Sequence, residues 1–209
     1  MSTQLMSLDL YLAFVAASVV MVLMPGPNLA LIVANALARG PRGGLVTLAG
    51  TLSAMVVQLA LVVAGMATVM AAMAGVFDWL RWIGVAYLVY LGVRAWRAPD
   101  RDLSAVEPSA RADRAAYLRG FVVSFTNPKT LLFYGALLPQ FIDPAAPAAP
   151  QLTLLAATFL LIAAIGDTTW ALFAARARHL LAGRGRLRNR LTGGALIGAG
   201  IGLALARRA

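Results

Sequence analysis

Two side chains could hold a charge inside an apolar run, Lys129 and Asp167. Seventeen of the eighteen basic residues are arginine, and the one lysine sits in the middle of FVVSFTNPKTLLFYGALLPQFIDP, Phe121–Pro144. An ammonium is a titratable point charge, whereas a guanidinium effectively never gives up its proton. Asp167, in Gly166-Asp167-Thr168-Thr169-Trp170, is the one acid well inside an apolar run. A carboxylate and an ammonium in one dry layer form a pair that a proton or a substrate can break, as ion-coupled transport requires. The same pair kept permanently closed would only fix helix packing.

Around these charges lie residues that interrupt a helix. Pro128 follows Asn127 directly and cannot donate to the carbonyl of Ser124, four residues back. In Met24-Pro25-Gly26-Pro27-Asn28, the two prolines free the carbonyls of Met21 and Leu23 in the same way, and Gly26 lets the backbone leave the helix. In lipid, free carbonyls and charges are tolerated only where they face protein or a water-filled cavity. Thr51, Ser53 and Gln58 are the polar residues of a further apolar run. Gln58 reads equally as a helix–helix hydrogen bond or as a pathway residue.

The elements that must position these groups are membrane spans. Of the 209 residues, 61% are hydrophobic and 12% charged, about half the charged fraction of a soluble domain. The apolar residues fall in blocks of roughly 20, the length that crosses a bilayer. Six spans are expected, at about Leu10–Ala38, Leu45–Met70, Trp79–Trp96, Phe121–Pro144, Leu152–Ala175 and Thr192–Ala206. A basic turn at Arg39–Gly44, a turn near Asp78, a polar linker over about 98–118, an extended PAAPAAP turn at Pro144–Pro150 and a basic loop at Arg176–Arg190 would join them.

The net charge of +10 does not point to nucleic acid, because the basic residues lie in short segments between spans. Fourteen of the eighteen fall on one side of the six-span arrangement. That side is then cytoplasmic and both termini periplasmic, although Arg207 and Arg208 oppose this for the last span. With no cysteine and a single histidine, His179, in a basic segment, neither a metal nor a cofactor is expected.

The spans read as two inverted three-helix repeats, about 8–97 and 119–208, each opening on a span broken by proline and asparagine. Such repeats place a substrate site at their interface. At 1.5 Å per residue, Asn28, Thr51, Lys129 and Asp167 all fall about 13–16 Å from the nearest basic edge. Gly194, Gly198 and Gly202 form a small-residue stripe for close approach of another helix, within the chain or from a second copy in a homo-oligomer.

MPGPN at Met24–Asn28, AYLVYLG at Ala86–Gly92 and above all TNPKTLLFYGALLPQFIDP at Thr126–Pro144 resemble the LysE/RhtB family of amino-acid exporters. The resemblance implies a six-helix inner-membrane carrier that exports amino acids or related small metabolites, driven by the proton gradient. Its intramembrane lysine would be Lys129 and its fifth-span acid Asp167. Where many members carry an acid or histidine in the second span, this chain has Thr51, Ser53 and Gln58. The expected site is therefore Pro25, Gly26, Pro27, Asn28, Thr51, Gln58, Asn127, Pro128, Lys129 and Asp167. A structural subunit, a uniporter of another solute and an intramembrane enzyme are the competing readings.

Overall fold

Proline and glycine set where the helices stop. The computed structural model describes residues 6–65, 74–98, 109–180 and 185–205. Helix α1, Leu8–Leu23, starts at Ser7, whose hydroxyl accepts from the Leu10 N–H, and ends before the Pro-Gly-Pro run. Helix α2, Pro27–Val63, has Pro27 in its first turn, where the missing N–H costs nothing. It is not one rod, because Gly40 has φ +73° and ψ −167°, a conformation closed to residues with a side chain. A Cβ on Gly44 would lie 2.9 Å from that of Ala36, eight residues back. In a straight helix those positions are about 12 Å apart. The chain therefore doubles back at Gly40 as a helical hairpin, and Pro41 opens its second arm.

Helix α3 is Ala74–Trp96 and helix α4 is Ala110–Phe125, capped by the Ser109 hydroxyl. After a break at Thr126–Asn127 comes α5, Pro128–Leu132. It loosens into a π turn at Phe133–Leu137 and then tightens into a 3-10 turn at Leu138–Phe141. Pro139, which cannot donate back to Gly135, sits where that register changes. Helix α6 is Ala148–Leu180 and α7 is Gly185–Leu205. No strand occurs among the described residues, so the all-helical expectation holds. Helix α6 is long and apolar enough over Ala148–Arg178 to cross a bilayer, and Pro27–Val63 reaches the same length and composition taken over both arms of its hairpin.

Several expected connections are shorter than the sequence implied. The basic turn after Arg39 is a single pivoting residue, Gly40. Asp78 lies inside α3. The second half of the polar linker, from Ala110, is the first part of α4, while 99–108 lies outside the described residues. Alanine and arginine extend helices as readily as apolar residues do, so polarity alone misplaced that start. The basic loop at Arg176–Arg190 is helical at both ends, with 181–184 outside the description. Pro150 belongs to α6, and the turn before it is held by buried Gln151. The Gln151 Oε1 accepts from the Asp143 N–H (2.8 Å), and its Nε2 donates to the carbonyls of Asp143, Ala146 and Pro147.

The helices meet through glycine and alanine. A Cβ on Gly50 would overlap the Tyr117 carbonyl oxygen, and one on Gly120 that of Thr47, so α2 and α4 are in backbone contact. Gly92 and Gly193 join α3 to α7 equally closely. The expected stripe is displaced: Gly198 and Gly202 have nothing within 4 Å, and the packed face carries Gly193 and Gly200. Elsewhere an aromatic cluster fills the core, with Phe133, Tyr134 and Phe159 mutually in contact and Phe14 against Phe133. Large apolar side chains also point outward, among them Leu8, Leu12 and Leu23 on α1 and Leu161, Ile165 and Phe173 on α6. Water would not tolerate such faces on a monomer, whereas lipid matches them.

These contacts distinguish two glycines that look alike in sequence. Gly120→Ala forces α2 and α4 apart and should cost about 1–3 kcal/mol or more. Gly198→Ala meets open space and should be neutral or slightly stabilising. Thermal midpoints of the two purified variants check this, and equal loss in both would contradict the packing described.

Candidate functional site

The two helix breaks touch each other. Asn28, in the first turn of α2, donates from Nδ2 to the Ser124 hydroxyl near the end of α4 (3.2 Å). Asn127 caps α5, its Oδ1 accepting from the Lys129 N–H (3.0 Å), while Thr130 donates its hydroxyl to the Asn127 carbonyl (2.9 Å). This cap fixes Lys129 in the first turn of α5. From there its side chain crosses to the other break, where the ammonium donates to the carbonyls of Met21 (2.6 Å) and Met24. The Met21 carbonyl is the one that Pro25 leaves free. Gly26 makes the crossing possible, since a Cβ there would lie 3.1 Å from Lys129 Cδ. Its backbone is ordinary extended chain, φ −149° and ψ −176°, so the glycine provides room for the lysine and not conformational freedom.

The second break is satisfied differently. The Ser124 carbonyl, freed by Pro128, accepts from the Asn127 N–H (3.1 Å) and from Gln58 Nε2 (3.4 Å). Gln58 also donates to the Phe125 carbonyl (3.0 Å). These are the helix–helix hydrogen bonds expected of Gln58, and its buried Oε1 has no partner.

A cavity of about 30 Å³ lies between the breaks, room for about two water molecules. Gly26, Asn28, Asn127, Lys129 and Asp167 line it. Pro25, Pro27 and Pro128 shape its edges without lining it. Thr51 and Gln58 are both buried but lie on the α2–α4 contact and not on the cavity, which departs from the expected residue set. Asp167 is 5% exposed and makes no contact ion pair with Lys129. The two opposite charges share one small cavity without touching. The buried Oδ1 of Asn28 has no partner, and it lies in the same wall. The first N–H groups of α2 after Pro27, those of Asn28 and Leu29, have no acceptor within the helix.

Sequence reasoning missed Thr130, Met55, Phe159 and Ala163, which line the cavity together with Met21, Val22, Met24 and Leu29. Phe159, Ala163 and Asp167 recur every fourth residue on α6, one face of a helix, and that spacing could have flagged them. At the hairpin pivot, Asp113 of α4 holds both Arg39 (2.7 Å) and Arg42 (2.8 Å), and Arg39 also donates to the Ala112 carbonyl.

No solved structure matches the chain. It is 35% identical over 206 residues to an uncharacterized membrane protein of Vibrio cholerae, covering 97% of this chain and all of the relative. It is 30% identical over 207 residues to a homoserine/homoserine lactone efflux protein of Salmonella typhimurium, covering 98% of this chain and all of the relative. A leucine efflux protein of Salmonella typhimurium is 32% identical over 139 residues, which is 66% of this chain and 65% of that protein. Residues 19–207 match the LysE type translocator family, and with helix breaks, apolar outer faces and full-length relatives in agreement, the chain belongs to that family.

Proposed function

We propose that this protein exports small amino acids or closely related metabolites across the inner membrane in exchange for protons, and that both bind in the cavity between the helix breaks. The observation that carries this reading is the approach of Lys129 and Asp167 to one cavity without an ion pair between them. A zwitterion brings one charge of each sign. Its carboxylate takes the N–H of Lys129 that the two carbonyls leave over, together with the free N–H groups at the start of α2. Its ammonium takes Asp167 and the unpartnered Oδ1 of Asn28. The carbonyls of Met21 and Ser124, freed by Pro25 and Pro128, are already engaged by Lys129, Gln58 and Asn127. The efflux relatives, named for homoserine, homoserine lactone and leucine, suggest the substrate class.

On this reading a proton from the periplasm neutralises Asp167 and the substrate leaves. Its loss to the cytoplasm resets the site for the next molecule. Six spans in two inverted repeats fit the packing, with α4, which opens the second repeat, beginning at Ala110. The closing helices α3 and α7 pair with each other. The second arm of α2 packs on the broken span at α4, and α6 packs reciprocally on α1 and the first arm of α2. That exchange of partners is what a twofold axis in the membrane plane would give. The periplasmic termini follow from the arginine distribution.

Transport assays separate this reading from a uniporter or a structural subunit. Inside-out vesicles should accumulate labelled homoserine or leucine under a proton gradient and lose it on adding an uncoupler. Asp167→Asn should reach the membrane, since no contact ion pair is broken, yet lose that accumulation. Accumulation indifferent to the uncoupler means that another ion drives the carrier, and equilibration that no proton gradient raises makes the protein a uniporter. Absence of counterflow in proteoliposomes with any small amino acid leaves the structural reading standing.

Lys129→Met should abolish transport and lower stability, because two carbonyls lose a charged donor at about 1–3 kcal/mol each. Purified-protein thermal midpoints, alone and with Asp167→Asn, check it. If the second substitution fully restores the midpoint, the carbonyl bonds contribute nothing and the charges act only on each other.

Orientation is tested on the chain's cysteine-free background. Ala145→Cys, at the exposed turn before α6, should react with an impermeant thiol reagent in spheroplasts. Ala110→Cys, at the exposed start of α4, should be protected until the membrane is opened. The reverse pattern inverts the topology.

A further inference from the structure

A second, much larger cavity of about 810 Å³ opens between the first arm of α2, the end of α3, Arg119 of α4 and the start of α7. Among the described residues its lining holds four arginines, Arg39, Arg94, Arg97 and Arg119, and no acidic residue. Arg39 is already held by Asp113. Arg94, Arg97 and Arg119 have no acidic partner among the described residues. Three guanidiniums facing one space repel each other, and a ligand that neutralises them removes that repulsion. The charge also discriminates: a zwitterionic amino acid would bring its ammonium among described side chains whose charges are all positive, whereas a net anion gains from each of them.

An independent observation lies deeper in the same wall. Thr192, at 7% exposure, buries its hydroxyl with no hydrogen-bond partner. A buried unsatisfied hydroxyl destabilises a fold unless something comes to meet it. Apart from Asn35, whose amide donates to the Leu31 carbonyl, the remaining surface is largely apolar, with Leu31, Leu91 and Leu196 packed together along it. Tyr90, 57% exposed, stands at its edge. Positive donors at one end and an aliphatic wall behind them match an amphiphile with a phosphate head.

We propose that this cavity binds a phosphate-bearing anion, held by Arg94, Arg97, Arg119 and the Thr192 hydroxyl, and that its source is an anionic phospholipid whose acyl chain lies along Leu31, Leu91 and Leu196. Guanidinium is the fitting group, because its planar fork matches phosphate oxygens two at a time. Basic pockets between transmembrane helices on the cytoplasmic side are where such head groups bind. The site is separate from the small cavity at Lys129.

The full-length protein in neutral detergent is titrated with phosphatidylglycerol, phosphatidylcholine or inorganic phosphate, following the thermal midpoint and, by native mass spectrometry, retained lipid. Phosphatidylglycerol should raise the midpoint and remain bound, and phosphatidylcholine should do neither. The triple variant Arg94→Gln, Arg97→Gln, Arg119→Gln should weaken the phosphatidylglycerol response about tenfold or more. Arg186→Gln with Arg190→Gln, which removes charge from exposed positions outside the pocket, should not. Thr192→Val serves if the triple variant folds poorly. It should leave the ligand-free midpoint unchanged or higher, because an orphan hydroxyl is gone, and still weaken the lipid response. A phosphate response equal to that of the lipid, lost in the same variants, keeps the site and makes its source a free anion. A lipid response unchanged in both the triple variant and Thr192→Val overturns the proposal. So does a midpoint shift with homoserine or leucine that the triple variant abolishes, since the pocket would then be a substrate vestibule.

Discussion

Everything near the centre of this protein depends on one ammonium reaching across two broken helices. Pro25 and Pro27 end α1 and restart the chain as α2, leaving carbonyls without their usual N–H partners in a setting with no water to spare. Lys129 comes from the other break and donates to two of those carbonyls. The breaks are therefore not independent defects: each contains what the other lacks. Asn28 repeats the pattern in the opposite direction, its amide donating to Ser124. Such reciprocity explains why the chain can keep irregular backbone where a plain helix would be far cheaper.

The choice of lysine among so many arginines follows from this geometry. A guanidinium spreads its donors over a rigid plane and would not converge on two neighbouring carbonyls from across Gly26. An ammonium carries three donors on one atom, so two can be spent on backbone while one still points into the cavity. Gly26 has to be small for the same reason, because the lysine stem lies where a side chain would be. Around this point the helices are held by backbone contact at Gly50, Gly120, Gly92 and Gly193, where a methyl group would already collide. Close contact of that kind suits lipid, where apolar side chains gain little by leaving their solvent and packing must supply the association.

The fold and site were legible in the sequence wherever backbone chemistry is absolute. Proline cannot donate, so Pro25, Pro27 and Pro128 announced both breaks, and the lone lysine beside one of them announced the centre. The length of the apolar blocks gave the helices. What stayed hidden was set by neighbours. Ala110–Arg119 reads as linker because it is polar, yet Asp113 is polar in order to hold Arg39 and Arg42 at the hairpin pivot. Gly194, Gly198 and Gly202 form the more regular stripe, but only the packing of α3 decides that Gly193 and Gly200 are the buried ones. Gln58 sits on an apolar helix at the right depth for a pathway, and the sequence could not show that its amide faces the carbonyls of Ser124 and Phe125. Depth counts residues along one helix and carries no information on which way a side chain faces.

The volume of the central cavity constrains how such a site can work. At about 30 Å³ it has room for about two water molecules, and ligand pockets usually run to about 300–1,000 Å³. On the proposed function a substrate enters only if the cavity widens, and the side chain lying across Gly26 can make that room by withdrawing briefly before it returns to its carbonyls and holds the carboxylate. Its withdrawal strips the Met21 and Met24 carbonyls of their donor, which is costly while they stay dry. Opening is therefore favourable only when water or an incoming donor replaces the ammonium as it leaves, and closing is favourable again once the site is empty. A carrier has to avoid standing open to both sides, and here the penalty for an unfilled open site is written into the backbone at Pro25.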